Sequence, residues 1–255
     1  MPLREHRLRD LRIRGERAFR AVAPYAALKR RLIDDGYVFL VLPEDTPHRD
    51  RATFLNHTYW SAADGRDVLV DAEIDADVVA HVAWHHLARR ALPGDAPATA
   101  AAMFLGESVA SAFDLYVVGQ LLRTSPRADY LTTQVPAMSA AAEDAGLSPD
   151  DVAALFDAVV SDPEAAFEAV RRLLFDASVA LYAAPDVLSA QAVLERFTAQ
   201  PYGALLHHYA LSTWVLFARA YAAPSRDDDP ALAMDRAIRS APVALDWLVE
   251  SWVGR

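Results

Sequence analysis

Residues 75–114 read DADVVAHVAWHHLARRALPGDAPATAAAMFLGESVASAFD. Apolar side chains at Val78, Val79, Val82, Ala83 and Leu87 recur with a helical period rather than an alternating one. Asp75 is a good N-cap, and Asp77 adds negative charge to the first turn, where the helix dipole favours it. Pro93-Gly94 stops the run. A second apolar run starts near Thr99 and continues to about Leu122. So short a break predicts two antiparallel helices.

His81 and His85 stand four residues apart on the first helix. They share a face with Cβ atoms about 6 Å apart, so both imidazoles can meet one ion. His86 points roughly 100° away. Glu107 sits roughly 12 Å along from the break, level with the gap between His85 at roughly 9 Å and His81 at roughly 15 Å. Two histidines and one carboxylate, with a fourth position open, form a typical catalytic zinc set. Ser111, one turn beyond Glu107 and level with His81, is placed to hydrogen-bond a ligand. Asp114 shares the Glu107 face but lies about 10 Å further along, nearer Asp77 than the histidines.

The pair HVAWH at 81–85 and GESVASAFD at 106–114 resembles the active-site and glutamate helices of gluzincin-type zincin metallopeptidases. The resemblance covers about residues 35–120 and implies His81, His85 and Glu107 as zinc ligands. Glu107 follows His85 by 22 residues, close to the family's interval. Extended segments at Tyr37–Leu42, Thr53–Trp60 and Val68–Ile74 precede the helix, as a small sheet does in zincins. The departure is Val82, which stands where the family has its catalytic Glu. That Glu accepts and hands on the proton of the attacking water, and valine has no group to do so. Ordinary peptidase chemistry is therefore not expected, whereas metal binding is. The family's acidic residue one turn after the ligand Glu is also replaced, by Ser111.

Such peptidases often bring a His or Tyr from their helical half to steady the developing oxyanion. His207, His208 and Tyr209, in PYGALLHHY at 201–209, are the candidates for that part or for a further ligand. The plainer reading is a core helix with polar tips at a seam. His57 is a further candidate from the segment ahead of the helix. An HxxxH pair can also arise by chance among eight histidines and be no more than a hydrogen-bonded pair on a core helix.

The whole chain has 255 residues, 53% of them hydrophobic, enough for one large domain or a domain with a helical extension. It contains no cysteine, so a metal must rely on His and carboxylate ligands. Ten Lys/Arg and three Asp/Glu lie in residues 1–31, against an overall net charge of −10, and Lys29 is the one lysine. Leu8, Leu11, Phe19 and Val22 among these arginines suggest a basic surface helix over Leu3–Ala23. It would lie on the acidic body or on a partner subunit, making a homo-oligomer through this arm possible. No motif or interleaved aromatics point to nucleic acid. No secretory signal is expected, and no apolar run is read as a membrane span, the best being Ala204–Ala223. A cytoplasmic protein is the expectation.

The expected fold is α+β and predominantly α-helical. A small N-terminal β-sheet packs on the HxxxH helix, and a helical C-terminal half follows. The divisions are a basic helical arm at 1–34, a zincin-like unit at 35–123 and a helical subdomain at 124–255. Helices are predicted near 126–134, 136–145, 149–160, 163–183, 186–199, 202–222, 230–239 and 242–252, several opened by an N-cap and proline. Three functions stay open. The first is a zincin-like zinc protein acting on a small molecule or peptide, either a degenerate peptidase or a metal enzyme with a base from elsewhere, such as Asp114 or Glu73. The second is a helical non-haem iron or manganese oxidoreductase, which lacks its usual E-x-x-H signature. The third is a metal-free helical interaction protein.

Overall fold

The computed structural model describes residues 3–46, 67–92 and 98–254. Thr53–Trp60, with His57, lies outside these residues. The fold is α+β and mostly helical, and the small amount of sheet is N-terminal. Contacts divide the chain into two compact units, residues 1–83 and 84–255.

In the first unit the expected basic helix is not formed over its first half. Residues Arg4–Arg7 form strand β1, Leu8–Asp10 a 3-10 turn and Arg12–Arg14 strand β2. Helix begins only with the short α1 (Glu16–Phe19), followed by α2 (Tyr25–Asp34). Strand β3 (Val38–Val41) falls within the apolar run Tyr37–Leu42 and buries Phe39 and Val41. It pairs with β1 antiparallel and with β4 (Val68–Leu69) parallel.

Strand β2 pairs parallel with β5 (Glu73–Asp75), Arg12 opposite Glu73 and Arg14 opposite Asp75. Alternation places Arg12 and Arg14 on one face of β2, where Arg12 meets Glu73 and Arg14 grips both oxygens of Asp75 at 2.8–2.9 Å. Partners 61 residues away thus override a local pattern that reads equally well as a helix. Asp75, expected as a cap, also serves this pairing. Helix α3 (Ala76–Ala91) starts at the next residue and carries HVAWH.

The second unit is built around α4 (Ala100–Thr124). This helix is long and apolar enough to cross a membrane by length and composition, more so than the Ala204–Ala223 run singled out from sequence. However, 83% of its most apolar stretch is buried inside the fold. Helix α5 (Asp129–Asp144), α6 (Pro149–Ser161) and α7 (Pro163–Ala183) pack against it. Gly119 permits the approach to α6, because a Cβ there would stand 2.6 Å from the Val159 carbonyl oxygen.

The start of α4 is stitched to the chain near Ala223. Ala100 N–H donates to the Ala223 carbonyl and Ala101 N–H to Ser225 Oγ, while Thr99 Oγ1 accepts from Ala102 N–H. Donors that a buried helix start would leave unmet are thereby satisfied.

Helices α8 (Val187–Thr198), α9 (Leu211–Tyr221), α10 (Pro230–Ser240) and α11 (Ala244–Leu248) complete the unit, with a π-helical turn at Val249–Val253. Ser148 and Asp162 cap α6 and α7, each with proline in the first turn, as their sequences predict. Two expectations are corrected. The break expected at Pro136 does not occur, because α5 runs through it. Pro136 is exposed, and so is Thr132, whose carbonyl it leaves without a helical donor, while Leu131 and Met138 are buried. The single helix expected over 202–222 is instead a 3-10 segment, Gly203–His208, followed by α9. Tyr202 takes a left-handed φ of 61°, and Gly203 backs so closely onto the end of α8 that a Cβ would meet the Phe197 carbonyl oxygen at 2.3 Å.

A buried ion network ties α7 to α10. Arg171, 0% exposed, donates to both Glu168 oxygens at 2.7 and 2.9 Å and to Asp235 Oδ1 at 2.7 Å. Arg239 takes the other Asp235 oxygen at 2.7 Å and grips Asp176. Burial opposes the Arg239 charge, but these carboxylates outweigh it and raise its pKa. Removing one member leaves buried charge uncompensated. Asp235→Ala is therefore expected to lower unfolding free energy by about 3–5 kcal/mol in urea titration, and a loss under about 1 kcal/mol would show the network is dispensable.

Candidate metal centre

Helix α3 lies antiparallel to α4 where the two meet. Trp84 stacks edge-on against Phe113 with ring centroids 5.5 Å apart, and both His85 and Ala88 approach Gly106. Lower numbers on α3 thus face higher numbers on α4. A Cβ on Gly106 would stand 3.4 Å from His85 Nδ1 and 3.6 Å from the Ala88 Cβ, so the imidazole rests against α4 at this position with room for no more than a methyl group between them. With Nδ1 on that side, Nε2 points to Glu107, 3.4 Å from Oε2.

His81 is one turn earlier on the same continuous helix. One ligand atom from each of His81, His85 and Glu107 lies within 4.8 Å of the other two. Both histidines are half-buried, and Glu107 is 7% exposed. A carboxylate so removed from water needs a cation or donors to stay ionised. At 3.4 Å the His85–Glu107 contact is longer than a charge-assisted hydrogen bond, about 2.7–2.9 Å. Metal bonds of about 2.0–2.2 Å in a tetrahedron would also place neighbouring ligand atoms about 3.4 Å apart. Separations of up to 4.8 Å would have to close by up to about 1.4 Å, within reach of χ rotations.

Val82, next to His81, is buried among apolar neighbours and offers no proton acceptor. Ser111 is buried one turn beyond Glu107, but among the described residues no hydrogen bond joins it to the three. Glu73, considered as a base, is engaged by Arg12 and Arg14.

Asp114 acts electrostatically on His208 and Tyr209. Burial lowers the His208 pKa against the opposing pull of Asp114, and burial together with the Asp114 charge raises that of Tyr209. The two rings meet edge-on at 5.0 Å, and the Tyr209 hydroxyl is buried without a hydrogen-bond partner among the described residues. His207 is exposed. The 3-10 conformation of Gly203–His208 sets these side chains and removes the helical face on which they were expected.

Two contributors were not singled out from sequence. Gly106 had a signal, a glycine inside a helix directly before the candidate ligand. Trp84 had none beyond being an apolar residue in the HxxxH interval; its ring also meets Trp252 of the π-helical turn at 6.3 Å, bracing α3 from a second side.

No protein-family model, curated protein or solved structure matches the chain.

Gly106→Val puts methyl groups where the His85 imidazole lies. Its expected outcome is a displaced His85 ring, read as shifted side-chain NMR resonances; unchanged resonances would show that the ring does not rest on α4.

Proposed function

We propose that this protein binds a divalent transition metal, zinc in the first place, through His81, His85 and Glu107. The single observation that carries this reading is the mutual approach of the three ligand atoms within 4.8 Å. Its plausibility rests on the donor set: neutral imidazoles and a carboxylate suit zinc, and no thiolate competes in a chain without cysteine. Three protein ligands leave one position for a small molecule or peptide group, at which a bound ion supplies Lewis acidity.

The protein side of such chemistry is altered from the gluzincin pattern. Val82 makes the helix face beside His81 apolar, so no residue there can take a proton from an attacking water. The reading is a zincin-like protein with a changed active site. It is either a degenerate peptidase retained for binding or a metal-dependent, hydrolase-like enzyme whose base comes from another element. A non-haem iron or manganese oxidoreductase is the second reading, favoured by one feature: two histidines and one carboxylate are also the facial triad of iron(II) oxygenases.

Elemental analysis of protein purified without added metal tests the proposal. About one metal ion per chain is expected, falling to near zero in His81→Ala and in Glu107→Ala and unchanged in His86→Ala. Stoichiometric metal in His81→Ala would refute the ligand assignment. Zinc supports the first reading; iron or manganese supports the second. Peptide hydrolysis is expected to be undetectable, and chelator-sensitive cleavage of casein would mean that another side chain replaces the missing Glu.

A further inference from the structure

The positive charge of the N-terminal region encloses a cavity of about 390 Å³ between α1 and α2. Glu16 and Arg20 line one side; Tyr25, Lys29, Arg30 and Ile33 line the other. Glu16 is the internal counter-ion. It pairs with Lys29, accepts from Arg20 at 3.3 Å and accepts from the Tyr25 hydroxyl at 3.4 Å. These contacts lock Lys29 and Arg20 against the wall. They do not use Arg30, which has no ionic or hydrogen-bond partner among the described residues. Three cations and the Glu16 carboxylate line the cavity, and Asp77 acts on Tyr25 from beyond it, so the lining itself carries an excess of positive charge. Ile33, 40% exposed, lies one turn beyond Lys29 and gives the cavity an apolar lip.

A solvated ion cluster that merely holds α1 on α2 would need Glu16, Lys29 and Tyr25 alone. It explains neither the cavity nor the uncommitted guanidinium at its edge. The excess positive charge favours an anion, and a phosphate monoester, at about −1.5 to −2 near neutral pH, meets it with more charge than a monocarboxylate does. Guanidinium forks with one ammonium suit phosphate oxygens, and the volume lies within the range of about 300–1,000 Å³ usual for small-molecule pockets.

We propose that this cavity binds a phosphate monoester whose organic group is small and apolar, the phosphate held by Arg20, Lys29 and Arg30 and the ester group resting on Ile33. The site is separate from the candidate metal centre and does not depend on it.

The experiment uses calorimetric titration of the full chain with phenyl phosphate at low ionic strength, with inorganic phosphate and benzoate in parallel. Phenyl phosphate is expected to bind with Kd of about 1 mM or tighter, and each comparison anion about tenfold more weakly. Arg30→Ala and Arg20→Ala should each weaken phenyl phosphate about tenfold with unchanged circular dichroism, because both side chains are exposed and charge-assisted contacts to the anion are lost. His81→Ala should leave the affinity unchanged. Lys29, the one lysine, gives a second readout: phenyl phosphate should slow its acetylation, followed by peptide mass. No heat and no protection at about 20 mM ligand, or undiminished binding by Arg30→Ala, would overturn the site. Equal affinity for inorganic phosphate would overturn the monoester assignment.

Discussion

Close approach of α3 to α4 is the constraint on which the candidate centre depends. Two helices usually pack with axes 8–10 Å apart, set by the side chains between them. Here Gly106 faces His85 and Ala88 at close range, and Trp84 against Phe113 adds a second contact two turns along α4. The imidazole rests on α4 at its Nδ1 side and presents Nε2 to Glu107. A ligand held in this way loses little conformational freedom on binding an ion.

Burial of α4 serves the same end. A helix with apolar residues on nearly all sides can be satisfied only by enclosure, and α5, α6 and α7 contribute to it. Enclosure makes the polar residues on α4 consequential. Glu107 approaches the imidazoles of α3, whereas the charge of Asp114, two turns on, is felt by His208 and Tyr209. The ion network of Arg171, Asp235 and Arg239 holds α7 to α10 through directional contacts that an apolar seam would not impose. Buried charges are weak evidence for stability as such, since desolvation offsets much of their attraction. Their geometric demand is the firmer consequence.

Legibility in the sequence followed the range of the interactions. Helix starts were readable where cap and proline are neighbours, as at Ser148-Pro149 and Asp162-Pro163, because those contacts close within three residues. Strand β3 was readable from its apolar run after Asp35-Gly36. The basic N-terminus was not, since its Leu and Arg spacing suits a helix and only pairing with Glu73 and Asp75 reveals the alternation. The split of 202–222 was hidden for a related reason. The left-handed Tyr202 and the close seat of Gly203 on α8 are tertiary facts, and nothing in the apolar pattern of Leu205 to Ala218 signals an interruption.

From the amino-acid order alone came the mostly helical α+β class, the antiparallel pair of helices around residue 95 and the level placement of His81, His85 and Glu107. Helical rise and a short connection impose these before any packing is known. Only the folded chain settled how near the ligand atoms come, which neighbours each polar residue answers to, and that the arginines of β2 are strand residues paired across the sequence. Distances of a few ångströms between distant segments depend on side-chain volume, such as the absent Cβ of Gly119 against Val159. No local pattern records what stands on the other side of a contact.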